Sequence, residues 1–313
     1  MELLEKIITV CVVTYNSFTT VIKTLESIKN QTYDTNFIEL IIADDCSSDD
    51  TVIIVKKWIE ENKCIFNNVE LIEQKQNIGL TKNINSAWKL AKGSWVKSIA
   101  GDDILLENCI ANNVTYVNKH NIQSVVFSLM RSFTEDNNKI TFHEIYPNSY
   151  QQKVLKGERD EQIKYLTHAG GFACAPSAFI NRRLLEEVGF ADERFFMLED
   201  TPLWFRILKK GEKIYFMNIF TVKYRIGNSI SQSNKSLFNV RHLSQKMEVD
   251  FLLFKNEVGL IANIRKFIFY FICFFLVFTT GANKSFISKT VFRLALLVKP
   301  FWLREKIKNA KII

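Results

Sequence analysis

Short apolar runs rich in Ile and Val alternate with amphipathic stretches through the first two fifths of the chain. Runs at 7–15, 38–43, 69–73, 95–100 and 124–130 carry a strand pattern, and 18–29, 51–62, 81–91 and 105–120 repeat apolar residues at helical spacing. Strands apolar on both faces and separated by helices predict a mostly parallel sheet covered on both sides. In such sheets ligands bind beyond the carboxyl ends of the strands. Polar residues cluster there at Thr14-Tyr15-Asn16, Asp44-Asp45 and Asp102-Asp103. Three strands delivering polar side chains to one edge predict a site.

From 134 to 161 the pattern breaks into a polar stretch, expected as a loop or irregular subdomain. Order resumes at 168–180, followed by helices at 181–188 and 201–209, the second ended by Gly211. Pro202 suits the first turn of that helix, where its missing N–H costs nothing. Strand signal returns at 214–226, and a helical tail is expected from Ser236. No internal repeat is visible.

The length, 313 residues, suggests about two domains. With 47% hydrophobic and 24% charged residues, four prolines and eleven glycines, the chain is neither disordered nor collagen-like. Six scattered cysteines without a C-x-x-C pair argue against a zinc site or disulfide scaffold and suggest a reduced, cytoplasmic protein. Glu2 and Glu5 stand where a secretory signal would be basic. The net charge of +8 would fit nucleic acid if it were spread over the chain, yet residues 264–313 alone carry ten Lys/Arg against one Glu. The other 263 residues are nearly neutral, with 31 basic and 32 acidic side chains. A basic, apolar tail on a neutral body points to an anionic membrane surface and away from nucleic acid.

No glycine follows the first strand in Val13-Thr14-Tyr15-Asn16-Ser17, so a Rossmann or P-loop phosphate cradle is not expected. In the acidic run from Asp44 to Thr51, helix capping accounts for Ser48, Asp49 or Asp50 but leaves Asp44-Asp45 unexplained. Asp102-Asp103 either caps a helix at Leu105 or, with substrate diphosphate, holds Mg²⁺ or Mn²⁺; adjacent carboxylates repel unless a cation relieves them. Asp200 reads as the N-cap of the helix at 201–209 or, behind the apolar approach Phe195-Phe196-Met197-Leu198, as a partly desolvated general base beside Glu199.

Taken together, these motifs resemble the family 2 glycosyltransferases, inverting enzymes of the α/β GT-A fold. The resemblance runs from Val10 to Ser17 and through Asp44-Asp45-Cys46-Ser47-Ser48-Asp49, Asn77-Ile78-Gly79-Leu80-Thr81-Lys82-Asn83 and Lys92-Gly93-Ser94-Trp95 to Gly101-Asp102-Asp103. It continues through Pro176-Ser177-Ala178-Phe179, the segment 188–195, Glu199-Asp200 and Tyr224-Arg225. It implies that Thr14, Tyr15 and Asp45 hold the nucleotide, its base above all, and that Asn77, Gly79 and Lys82 lie near it. Asp102 is implied as the ribose- or metal-contacting carboxylate and Asp103 as the metal ligand. Asp200 is implied as catalytic base with Glu199 beside it, and Arg225 as reaching the diphosphate. Where the family often has a third Asp, this chain has Ala100.

The function so implied is metal-dependent, inverting transfer of a hexosyl or N-acetylhexosaminyl unit from a nucleoside-diphosphate sugar, UDP-linked, to a hydroxyl of a lipid-linked or glycan acceptor in bacterial surface polysaccharide synthesis. A non-catalytic nucleotide-sugar-binding or scaffold subunit of the same fold is the alternative. The expected organisation is a catalytic domain at 1–231, with a nucleotide-sugar half at 1–133 and an acceptor half at 134–231, and a C-terminal region at 232–313. In that region 267–280 are fourteen uncharged, mostly apolar residues, short of the about twenty that cross a bilayer. Beyond Gly281, Phe286, Ile287, Val291, Leu294, Leu297, Val298, Phe301 and Trp302 mix with Lys289, Arg293, Lys299, Arg304 and Lys308, and Pro300 should kink the helix. This describes a segment lying in the headgroup plane on the inner face of the cell membrane; a packed helical cap or a dimer interface is the plain alternative.

Overall fold

The computed structural model describes residues 6–137, 139–172, 174–227 and 236–299. Pro300, Phe301, Trp302, Arg304 and Lys308 of the expected amphipathic segment lie outside them. In chain order the first half is β1 (Ile8–Thr14), α1 (Val21–Lys29), β2 (Ile38–Asp44), α2 (Thr51–Asn62), β3 (Asn68–Glu73), α3 (Leu80–Leu90), β4 (Trp95–Ala100), β5 (Ile104–Leu105) and α4 (Cys109–Lys119). The second half continues with β6 (Val125–Asp136), β7 (Lys139–Tyr146), α5 (Ser149–Lys156), α6 (Arg159–Ala169), β8 (Phe179–Asn181), α7 (Arg182–Glu187), α8 (Thr201–Lys209), β9 (Ile214–Arg225), α9 (Val240–Leu252), α10 (Leu260–Thr280) and α11 (Phe286–Val298).

Nine strands among the described residues form one sheet in the order β3-β2-β1-β4-β8-β6-β9-β5, with β7 on β6. The first four are mutually parallel, as the apolar runs require. Every residue of β2 is buried, because helices cover both of its faces. Ile8, Val10 and Val12 of β1 and Ile38, Leu40 and Ile42 of β2 form a core with Val21, Leu25 and Ile28 of α1 and Val55 and Trp58 of α2. Two antiparallel insertions interrupt the parallel order and shape the strand ends. β8 joins β4 to β6, and β5 lies antiparallel on β9, pairing Ile104 with Lys223. The short β5 therefore carries the turn after β4 to the end of β9, near Arg225.

The expected irregular stretch is ordered. Residues 134–146 extend β6 and turn back as β7, and α5 and α6 follow, α5 opened by a capping box between Asn148 and Gln151. The signature of β7 is short, Ile140 and Phe142 alternating with polar neighbours after a polar run, and the strand is exposed almost throughout, with no buried face to extend it.

The chain divides into two compact units: the described residues of 1–147 with 173–225, and those of 148–172 with 226–313. The first holds the whole sheet; the second joins α5 and α6 to α9, α10 and α11. The expected acceptor-side half, 134–231, thus contributes to both. In the second unit α10 is 21 residues long, not the fourteen of its uncharged run, and is long and apolar enough to cross a membrane. It extends because Arg265 and Lys266 are good helix formers whose charges find partners: Arg265 Nε donates to Val298 O at 2.8 Å and Lys266 to the Asp250 carboxylate.

Candidate active site

The ends of β1 and β2 are laced together. Asp44 accepts from Thr14 Oγ1 at 2.7 Å, Ser47 N at 2.8 Å and Ser47 Oγ at 2.6 Å. Asn16, at φ 50°, takes Ser48 N on its side-chain oxygen at 2.8 Å while its own N–H donates to Ser47 Oγ at 2.8 Å. Asp49 accepts from Thr51 N at 3.1 Å, so the capping reading holds for Asp49. The consequence is that Tyr15 stands out from this network, 44% exposed, an aromatic face offered at the strand edge.

Asp45 is buried and holds the turn before α3: Ile78 N donates to its Oδ1 at 2.7 Å and Gly79 N to its Oδ2 at 2.9 Å. Burial raises its pKa, the two amides lower it, and Asp44 raises it further. Asn77 Nδ2 reaches Asp45 O at 3.3 Å, and the side chains of Asn77 on this turn and of Lys82 at the start of α3 are exposed. Gly79 has φ +88°, and a Cβ there would lie 2.3 Å from the Phe196 ring. Both the backbone angle and the close approach demand glycine. The loop of Phe196 is bound to this turn, with Thr81 N donating to Phe196 O at 3.3 Å and Asn85 exchanging two 2.9 Å hydrogen bonds with the Ala191 backbone. Glu199 and Asp200 therefore ride on a segment pinned to the turn that Asp45 organises.

The second acidic pair is built differently. Asp103 is 1% exposed; its Oδ1 accepts from Arg225 N at 2.7 Å and its Oδ2 is buried with no partner. The capping alternative for this pair fails, since α4 starts only at Cys109, behind Asn108. Asp102 is half-buried, and among the described residues its carboxylate has no hydrogen-bond partner beyond its own residue. Burial raises both pKa values, Asp103 well above the usual range with Asp102 adding to it, and Arg225 pulls both down. Arg225 lies across the pair. Its Nε donates to Asp102 O at 2.8 Å, its Nη1 to Glu135 at 2.9 Å, and its guanidinium sits 4.5 Å over the Phe133 ring, while Nη2 is buried without a partner.

Glu199 is pushed up to about 8 by burial and by Asp200. Asp200 caps α8, its side chain accepting from Thr201 N. The Tyr224 hydroxyl is raised to about 12 by burial and by the charges of Asp103, Asp102 and Glu199. The first two of these acids come from the turn after β4 and the third from the segment before α8.

Three contributors were not legible as site residues in the sequence. Tyr224 was visible only as the neighbour of Arg225. Glu135, which also pairs with Lys23, lay in the stretch expected to be irregular. Lys97 is fully buried in β4, donating to Pro176 O and, at 3.3 Å, to Ala178 O, and its positive charge lowers Asp103. A lysine in a strand otherwise made of Trp, Val, Ser, Ile and Ala was the available signal.

Among the described residues no cluster of three or more His, Cys, Asp or Glu could by itself hold a metal. The orphaned Asp103 Oδ2 and the unpaired Asp102 carboxylate nevertheless suit a hard cation that takes its remaining oxygens from a substrate. A mixed sheet, parallel over β3-β2-β1-β4, with paired carboxylates and an exposed aromatic at its strand ends fits the GT-A fold of glycosyltransferases. The chain belongs to glycosyl transferase family 2, whose family model matches residues 9–189. It is 28% identical over 232 residues to the UDP-Glc:alpha-D-GlcNAc-diphosphoundecaprenol beta-1,3-glucosyltransferase WfaP of Escherichia coli, covering 74% of this chain and 81% of that one. Staphylococcus aureus TarS, solved with UDP-GlcNAc, superposes with a TM-score of 0.58 at 17% identity, over 96% of this chain and 88% of that one. The mannosyltransferase PcManGT of Pyrobaculum calidifontis, solved with GDP-Man and Mn²⁺, gives 0.54 at 16% identity, over 95% and 70%.

Proposed function

We propose that this glycosyltransferase moves a hexosyl or N-acetylhexosaminyl unit from a UDP-sugar, with inversion, to a hydroxyl of a lipid-linked or glycan acceptor in surface polysaccharide synthesis, at the inner face of the cell membrane. The observation that carries this reading is the buried Asp103 Oδ2 left without a partner beside Asp102 at the end of β4, with Arg225 lying across the pair. Similarity to a UDP-glucose-dependent enzyme acting on a diphosphoundecaprenol-linked sugar supports the donor and acceptor classes. In this reading 1–231 supplies the chemistry and 232–313 the membrane association.

Tyr15 stacks the donor's base, with Thr14 and Asp45 shaping the polar edge of that seat. Asn77, Gly79 and Lys82 line the nucleotide, and Arg225 turns its unpartnered Nη2 to the diphosphate. Asp102 and Asp103 would hold Mg²⁺ or Mn²⁺, which supplies charge to offset the leaving diphosphate. The residue carrying the proton is Asp200: its carboxylate takes the acceptor hydroxyl's proton as that oxygen attacks the anomeric carbon opposite the leaving group. Glu199, protonated at neutral pH by its burial, adds no second negative charge beside that base and orients it.

Calorimetric titration of UDP, GDP and CDP, each with and without Mn²⁺, into the wild type and Asp103→Ala tests the donor. Metal-dependent binding of UDP alone, lost in the variant, is expected; selective binding of another nucleotide overturns the UDP assignment. Asp200→Asn should lower turnover by about 10²–10⁴-fold with UDP binding intact, and near-normal turnover would remove Asp200 from the base role.

A further inference from the structure

The second unit carries a surface that the transfer chemistry does not use. Around α10, Lys266, Phe269, Tyr270, Cys273 and Leu276 are buried, and Leu260, Ile264, Phe267, Phe271, Phe275 and Phe278 are exposed on the opposite side, Phe278 at 90%. Their spacing of three and four residues makes one continuous aromatic stripe. On α11, Phe286, Ile287, Leu294 and Leu297 are likewise exposed, flanked by exposed Lys289 and Arg293. So large an apolar face is not left bare to water without a partner.

Length and apolarity alone would let α10 span a bilayer. Its inner face argues otherwise. Lys266 Nζ donates to the Asp250 carboxylate of α9 and, at 2.5 Å, to Thr167 O of α6, and the Tyr270 hydroxyl donates to Asp250 Oδ2 at 2.7 Å. The helices that make these contacts bear exposed charges: Arg241 and Glu248 on α9, Asp160, Glu161 and Lys164 on α6. Charged helices fastened to one side of α10 cannot follow it into hydrocarbon. One face of α10 is thus committed to the aqueous protein, and the other is uncovered among the described residues.

We propose that α10 lies in the plane of an anionic bilayer, its Phe stripe sunk at the headgroup boundary and Lys289 and Arg293 of α11 on lipid phosphates. The inference deepens the membrane-facing part of the proposed function and is independent of the donor. Charge selects the occupant. Residues 264–313 carry ten basic side chains and one acid, so a second copy would bring like charges together whereas an anionic lipid surface neutralises them. Lipid-linked acceptors then reach the enzyme by diffusion within the same leaflet.

The test uses the full chain with phosphatidylglycerol–phosphatidylethanolamine vesicles and with phosphatidylcholine vesicles, measuring UDP binding on the same preparations. Sedimentation with the anionic vesicles is expected, weaker by ~10-fold or more on phosphatidylcholine and reduced again by ~1 M salt. Phe271→Glu with Phe278→Glu should cut vesicle binding by ~10-fold or more with UDP binding unchanged, and Phe278→Gln, at a side chain with almost no packing to lose, should weaken it in the same direction. Unchanged vesicle binding in both variants overturns the proposal. Loss of a dimer without vesicle binding in any form assigns the face to a second copy and also overturns it. In intact cells Lys284→Cys should react with a membrane-impermeant maleimide only after disruption; labelling from outside would mean that α10 spans the membrane. Loss of UDP binding in the wild type would fault the donor reading and leave this one standing.

Discussion

Asp44-Asp45 and Asp102-Asp103 are the same dipeptide at the carboxyl ends of parallel strands, and the protein treats them oppositely. Around the first pair five hydrogen bonds close: three on Asp44 and two on Asp45, from Thr14, Ser47, Ile78 and Gly79. Around the second, one oxygen of Asp103 meets a backbone amide, the other meets nothing, and Asp102 is unpaired. An unsatisfied buried carboxylate costs free energy, so the second pair is held at a deficit that a cation or a protonated partner would relieve. Adjacent acids at a strand end are therefore not evidence of a ligand until their hydrogen bonds are counted. The first pair builds a turn; the second leaves a buried carboxylate oxygen without a partner among the described residues.

The sharpest way to break this contrast is to remove one acid from each pair. Asp102→Ala should lower kcat/KM by at least ~10²-fold and abolish metal-dependent nucleotide binding, without lowering the melting temperature, because it relieves Asp103 of a like charge. A clear loss of stability in that variant would make the second pair structural too. Asp45→Ala should act through the fold: with the Ile78 and Gly79 amides unpaired, denaturant unfolding should show a loss of about 1–3 kcal/mol, and activity should fall with the turn that carries Asn77 and Lys82. Next in size is the pH dependence of the ligand-free protein. Folding raises Glu199 to about 8. The stability it contributes relative to the unfolded chain is therefore full below the ordinary carboxylate range, ~4.3, and is lost as pH rises. Denaturation midpoints should fall between mildly acidic pH and about 8, where Glu199 titrates, and Glu199→Gln should flatten that slope. The smallest effect belongs to Asp44→Asn, which keeps an acceptor for Thr14 or Ser47 and should cost about 1 kcal/mol with turnover unchanged.

How much of the molecule is legible in its sequence depends on the range of the interactions involved. α2 runs from Thr51 to Asn62, as its apolar spacing requires, and β4 from Trp95 to Ala100, because both signals are local. The acidic pairs were visible as residues, and Asp200 as both cap and candidate base. What each carboxylate is bonded to was not, since Asp44 meets Thr14 across 30 positions and Asp103 meets Arg225 across 122. The hairpin of β6 and β7 escaped because the brief alternation of Ile140 and Phe142 stands alone after the polar run 134–139, and it faces no core. The fourteen-residue apolar run understated α10 because hydropathy stops at Lys266, whereas the helix continues wherever that charge finds Asp250.

The sequence by itself determined the alternating strand–helix order, the strand ends at which the acidic pairs stand, the family, and the concentration of basic charge beyond residue 264, all of which depend on periodicity, residue type and order along the chain. Only the tertiary structure decided which acids are already satisfied, that Arg225 lies across the second acidic pair, and that α10 has one packed face and one left uncovered among the described residues. Those outcomes depend on partners brought from distant strands and helices, and no local pattern encodes the distance between two side chains that meet only after the chain has folded.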